Sequence, residues 1–250
     1  MERKLSIKKA DGKTIRGVLY VPDGVKKATI VVVSHGFNSN YRELIHYAPE
    51  YIKEGIGMCF FDFCGGALVN ESDGDIMEMS VLTETQDLLT VIDTISSMEE
   101  VDNNNIFLLG ESQGGYVSAL AASRIPDKVR GLILWYPAFI LEENAKPNII
   151  DGVACPSTIF DICVGAVYNR DAVSVDIYNE IPRYSKEVLI IHGDADKIVP
   201  ISYSEKAFST YPKATMKIIH NAGHGFEGME RYEVTNYCLE YIKNNKLYDN

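Results

Sequence analysis

Nowhere in the 250 residues do 18 apolar residues follow one another, and the opening Met1-Glu2-Arg3-Lys4-Leu5 is not the long apolar stretch of a secretory signal. A membrane span and a leader both lack support, so the expected location is the cytoplasm. Clusters of lysine and arginine are missing as well. Their total of 24 stands against 35 aspartates and glutamates, and the resulting charge of −11 makes nucleic acid an unexpected partner. The five cysteines, Cys59, Cys64, Cys155, Cys163 and Cys238, are odd in number and lack C-x-x-C spacing. That argues against a zinc site or a disulfide framework and for buried free thiols. No other ligand cluster has metal spacing, so neither a metal nor another cofactor is expected. Internal repeats and low-complexity segments are absent too. With nothing to divide it, the chain 1–250 reads as one domain of a size common among α/β folds.

What is present is alternation. A hairpin-like pair, residues 5–8 and 14–21, surrounds Asp11-Gly12. Short β-branched or aromatic runs follow at 29–34, 57–63, 106–110, 131–135, 188–192 and 215–219, apolar enough to be covered on both faces. Helix-length segments at 41–54, 81–98, 113–124, 201–211 and 227–244 separate most of them, the βαβ rhythm of a parallel sheet flanked by helices. The rhythm fails once. Residues 137–183 show no clear alternation, carry Pro147, Pro156 and Pro182, and are too long for a simple crossover. They read as a lid inserted after the sixth strand, over the carboxyl edge of the sheet.

Gly110-Glu111-Ser112-Gln113-Gly114 lies between the apolar run Ile106-Phe107-Leu108-Leu109 and the small-residue segment Tyr116-Val117-Ser118-Ala119-Leu120-Ala121-Ala122. A hydroxyl is a poor nucleophile unless it is held exposed beside a base, and glycines two residues to either side allow the strained turn that presents it. By itself G-x-S-x-G turns up by chance in about one chain of this length in twelve, so the flanking strand and helix carry the weight. A serine nucleophile needs a histidine base, and the base needs a carboxylate. Both follow. His192-Gly193-Asp194-Ala195-Asp196 comes after one strand and Asn221-Ala222-Gly223-His224 after the last, each in a loop where open parallel sheets place their sites. The chain order Ser, Asp, His is that of α/β-hydrolases. The oxyanion of a tetrahedral intermediate requires two N–H donors, one of them usually on the residue after the nucleophile, here Gln113.

Through these motifs and His-Gly-x-x-Asp-x-x-Val-Pro at 192–200, the chain resembles an α/β-hydrolase over nearly its whole length. The resemblance implies that the acid is Asp196, with Asp194 a turn or capping carboxylate. Within the superfamily it is most similar to small intracellular esterases of hydroxycinnamoyl (feruloyl) esters, through His35-Gly36-Phe37, Phe61-Asp62-Phe63 and Ser72-Asp73-Gly74. That similarity implies Phe37 as the second oxyanion donor, with His35 shaping its loop, and places Asn144 and Tyr168 where polar lid groups meet the ring hydroxyls of the substrate. One departure stands out: Cys64-Gly65-Gly66-Ala67 occupies the place where related esterases more often carry Gly-His-Gly.

The expected activity is hydrolysis of a small aromatic acyl ester through Ser112. The alternatives are a general short-chain carboxylesterase or lipase, a serine peptidase of prolyl-oligopeptidase type, and a non-catalytic binding protein on the same fold. A peptidase of that type normally adds a large propeller, for which the chain has no room, and a binding protein usually lacks a member of the triad. His46 and His220 read as surface or packing residues. Asp62 precedes the nucleophile and breaks the expected order, and Trp135 and Tyr136 fit the core as well as they fit a substrate contact. Oligomeric state, a homodimer included, stays open.

Overall fold

The computed structural model describes residues 1–248. Strands β1 (Glu2–Lys8) and β2 (Thr14–Tyr20) form the opening hairpin, and β3 (Ala28–Ser34) enters the centre of the sheet. After α1 (Ala48–Lys53) come β4 (Ile56–Phe61), α2 (Val81–Ser96), β5 (Val101–Glu111), α3 (Ser112–Arg124) and β6 (Gly131–Trp135). The expected helix over 41–54 is shorter than its sequence pattern. Two 3₁₀ turns, Tyr41–Glu43 and Ile45–Tyr47, precede α1. Pro49 explains the break, because it has no N–H for the bond to residue 45 and its ring is tolerated only in a helix's first turn, where it sits.

The stretch that follows β6 is built of small pieces. They are α4 (Leu141–Ala145), the hairpin β7 (Ile149–Ile150) and β8 (Val153–Ala154), the hairpin β9 (Ser157–Ile159) and β10 (Ile162–Val164), then α5 (Ala166–Val173) and α6 (Ile177–Glu180). Such short strands and a mixed pattern leave no periodicity to read. The chain returns to the sheet with β11 (Val188–Gly193), α7 (Ser202–Thr210), β12 (Ala214–Ile219) and α8 (Gly228–Asn245).

Eight strands form one sheet in the order β1-β2-β4-β3-β5-β6-β11-β12. β1, β2 and β4 pair antiparallel and every later neighbour is parallel. Alternate side chains enter opposite layers: Ile30 and Val32 of β3 join the core under α2 and α3, while Val31 and Val33 join the one under α1 and α8. Register places Ser34 beside Gly110, Glu111 beside Trp135 and Trp135 beside Ile191. The carboxyl ends of β3, β5, β6 and β11 therefore emerge side by side at one edge.

Candidate active site

Strand β5 runs into α3 with no loop between them, and the junction residue Ser112 has φ 50°. For a residue with a side chain this left-handed turn costs about 1–3 kcal/mol. Two close approaches hold it. A Cβ on Gly110 would lie 2.2 Å from the carbonyl oxygen of Gly114, and one on Gly114 would lie 2.3 Å from that of Ser34. Glycine at both positions thus lets the start of α3 touch the end of β3 and turns the serine outward.

Ser112 Oγ is 2.9 Å from Nε2 of His224, and His224 Nδ1 is 2.7 Å from Oδ2 of Asp196. With Nδ1–H donating to the carboxylate, Nε2 is left to accept the serine proton. The backbone N–H groups of Ile198 and Val199 donate to Oδ1 of Asp196 at 2.8 and 3.0 Å. His192, fully buried, sits with Nε2 3.1 Å from Oδ2 of Asp196 and 2.9 Å from the Val199 carbonyl, while the Ser204 hydroxyl donates to its Nδ1 at 2.7 Å. Burial pushes the Asp196 carboxyl up, yet the hydrogen bonds from His192, His224 and Val199 together outweigh it and hold the group well below the usual carboxylate range. Asp194 faces elsewhere: it pairs with exposed His220 at 2.8 Å and accepts the Asn221 N–H at 2.7 Å. Asp62 is a buried loop anchor that accepts the N–H groups of Tyr41 and Glu71.

A carboxyl held low in the folded state adds stability that is complete above its unfolded value, about 3.9, and is lost as pH falls through its folded value. Asp196→Asn removes this contribution. Thermal unfolding of the variant should depend less steeply on pH below about pH 4 than that of the parent. Equal slopes would mean that the surrounding donors do not hold the carboxyl ionised.

Phe37 follows Gly36, whose Cβ position lies 3.4 Å from the Ser112 side chain, so the loop after β3 abuts the serine. His35 shapes that loop by donating from Nδ1 to the Gly36 carbonyl at 2.8 Å and accepting the Phe63 N–H on Nε2 at 3.2 Å. The departing segment 64–67 serves the same loop: the Gly66 carbonyl accepts the Asn38 N–H at 3.1 Å. Gln113 is the second residue of α3, and the first N–H groups of a helix have no partner within it. Phe37, Ser112 and Gln113 open together on a cleft of about 640 Å³ that Ile140, Asn144, Ile159, Phe160 and Tyr168 also line. Asn144 is exposed there. Tyr168 forms wall with its ring, 6.0 Å from that of Phe37, but its hydroxyl does not stand free as expected, since it donates to Oε1 of Gln113 at 2.7 Å.

Three neighbours make contacts that the sequence reading does not assign, Tyr136 being read there only as core or substrate contact. Glu111 accepts the Gly36 N–H at 3.1 Å and the Tyr136 hydroxyl at 2.8 Å. Tyr136, itself at φ 35°, packs its ring 4.6 Å from that of His224, the two planes tilted by 57°. Glu84 is buried and accepts from Nε2 of Gln113 at 2.8 Å. Of these only Glu111, inside the serine motif, carries a local signal. Trp135 is core, packed between Tyr47 and Phe226.

A mostly parallel eight-stranded sheet with a serine at the β5–α3 turn and a histidine after the last strand defines an α/β-hydrolase. The chain belongs to the family described as Hydrolase_4, serine aminopeptidase, S33, whose profile matches residues 25–160. Monoglyceride lipase of Mus musculus is 25% identical over 274 residues, spanning 93% of this chain and 86% of that protein. The mitochondrial palmitoyl-protein thioesterase ABHD10 of the same species is 28% identical over 213 residues, spanning 78% of this chain and 63% of the other. Among solved structures, Est1E of Butyrivibrio proteoclasticus with ferulic acid bound superposes with a TM-score of 0.86 at 23% identity, over 96% of this chain and 98% of that one. The protein is a serine hydrolase of the α/β class, of the esterase and lipase kind. Among the described residues no helix is long and apolar enough to cross a membrane.

Proposed function

We propose that the protein hydrolyses hydroxycinnamoyl (feruloyl) esters through an acyl-enzyme on Ser112. The observation that carries this reading is the relay Ser112–His224–Asp196, at 2.9 and 2.7 Å, opening on a cleft with aromatic walls. Ser112 Oγ attacks the ester carbonyl carbon while its proton passes to Nε2 of His224, and Asp196 steadies the imidazolium. The N–H groups of Phe37 and Gln113 receive the developing oxyanion. Collapse breaks the bond to the alcohol, which leaves with the proton from His224. Water then attacks the acyl-enzyme, giving its proton to His224, and the acid departs as Ser112 recovers its hydrogen.

Phe37, with the rings of Phe160 and Tyr168 at 6.4 and 6.0 Å from its own, offers flat apolar surface beside the serine, suited to a planar aromatic acyl group. Residues 137–183 act as the lid, and exposed Asn144 meets a ring hydroxyl. Est1E, which shares the fold, was solved with ferulic acid bound. A second reading, a lipase for monoacylglycerols, is favoured by the near full-length similarity to monoglyceride lipase.

Turnover of methyl ferulate, p-nitrophenyl butyrate, a long-chain monoacylglycerol, a palmitoyl thioester and an aminoacyl-p-nitroanilide separates these. Methyl ferulate should give the largest kcat/KM. Asn144→Ala should lower it about 5- to 50-fold, as loss of a polar partner for the ring hydroxyl predicts, and leave p-nitrophenyl butyrate within about twofold. Preference for the monoacylglycerol would replace the feruloyl reading with the lipase one.

A further inference from the structure

The Gln113 side chain has no assigned part in the chemistry, yet it is 1% exposed and both ends of its carboxamide are engaged. Tyr168 of α5 donates to Oε1 at 2.7 Å, and Nε2 donates to Oε2 of Glu84 of α2 at 2.8 Å, with Sδ of Met79 3.4 Å away. A second bond joins the same two helices, from the Ser80 hydroxyl to Oδ2 of Asp171 at 2.6 Å, where Ser80 also caps α2. The stretch that roofs the cleft is thus pinned to the floor on which the nucleophile turn rests.

We infer that Tyr168 and Glu84 are positioning residues for the oxyanion site, clamping Gln113 so that its backbone N–H stays aimed at the carbonyl oxygen of the substrate. This rests on the reading of Gln113 as an oxyanion donor. The direction of that N–H is set by the torsions of Ser112 and Gln113, and Ser112 is held at φ 50°, a conformation whose relaxation would rotate the peptide that bears the donor. A carboxamide anchored at both ends opposes the rotation. The clamp must also be uncharged, because an anion beneath the oxyanion would oppose the charge that the site collects. Burial pushes the Glu84 carboxyl well above its ordinary value, against the lowering effect of the Gln113 hydrogen bond, and so favours the neutral acid. Tyr168 on this account acts through Gln113 and not by touching a hydroxyl of the substrate.

The test compares Tyr168→Phe, Glu84→Ala and Glu84→Gln with the parent on methyl ferulate, methyl cinnamate and p-nitrophenyl butyrate. It also compares inhibition by phenethylboronic acid, which becomes tetrahedral on the serine, with inhibition by 3-phenylpropanoate, its planar counterpart. Losing an oxyanion donor costs 10²–10³ in kcat, so tilting one should cost on the order of tenfold. Tyr168→Phe and Glu84→Ala should each lower kcat by about that factor on all three esters, with KM changed less than about twofold. The boronic acid should weaken in parallel and 3-phenylpropanoate should not. Glu84→Gln, which keeps a neutral acceptor, should recover most of what Glu84→Ala loses. Loss on methyl ferulate but not on methyl cinnamate would assign Tyr168 to the substrate hydroxyl and overturn the inference, as would equal weakening of both inhibitors or a rise in KM alone. A parent protein that cleaves no ester and ignores the boronic acid would instead overturn the reading of the site itself, and this inference with it.

Discussion

Replacing Ser112 or His224 by alanine should lower kcat by roughly 10⁵–10⁶, and Asp196→Asn by roughly 10⁴, with circular dichroism unchanged. The three groups form one chain of hydrogen bonds, Oγ to Nε2 at 2.9 Å and Nδ1 to Oδ2 at 2.7 Å, so removal of one idles the other two. The double variant Ser112→Ala/His224→Ala should therefore be no slower than either single one, within experimental scatter. Asp194→Asn is the control. Its carboxylate serves His220, whose ring is exposed, and the Asn221 N–H, so kcat should stay within about threefold of the parent. The Asn221 bond sits in the strand-to-turn link before His224, which is why a small effect is expected in place of none. Steady-state kinetics with methyl ferulate and p-nitrophenyl butyrate decide the matter. A crippled Asp194→Asn beside an active Asp196→Asn would exchange the acid, and additive losses in the double variant would show that the residues do not act as a unit.

The alternation of strands and helices, and the order Ser112, Asp196, His224, were legible because each rests on a short local pattern: an apolar run, a glycine pair, a loop after a strand. The choice between Asp194 and Asp196 was a different matter. Both stand in one loop, and what separates them is which histidine each reaches, a contact made 26 and 28 residues away. Glu84 and Glu111 were illegible for the same reason on a larger scale, since Gln113 meets Glu84 across 29 residues and Glu111 meets Gly36 across 75. A buried carboxyl in a helix reads as a charged surface position until its neighbours are known. The helix expected over 41–54 failed locally, at Pro49, where apolar spacing outweighed a breaker that ought to have ended it. Tyr168 lines the cleft, yet the direction of its hydroxyl depends on Gln113, which no pattern along the chain reveals.

Gly114→Ala should lower the melting temperature by about 6–12 °C, the equivalent of about 3 kcal/mol in a chain of this size. Helix propensity argues the other way, because alanine in place of a helical glycine gains about 1 kcal/mol. At this position the steric cost wins. The added Cβ would stand 2.3 Å from the carbonyl oxygen of Ser34 and 2.4 Å from that of His35, and backbone at the end of a central strand cannot step aside as a side-chain tip can. Either α3 withdraws from β3 or the loop 35–37 is displaced. In both cases the N–H of Phe37 and that of Gln113 part from each other, so kcat should fall by about 10²-fold or more while KM changes less. Gly223→Ala provides the contrast: its Cβ would meet nothing within 4 Å and its φ is ordinary, so its melting temperature should stay within about 2 °C of the parent's. Differential scanning calorimetry and steady-state kinetics on the same preparations measure both effects. A Gly114→Ala protein that melts with the parent and turns over at its rate would show that α3 does not rest on β3 as closely as 2.3 Å implies, and the account of how the nucleophile turn is held would fall with it.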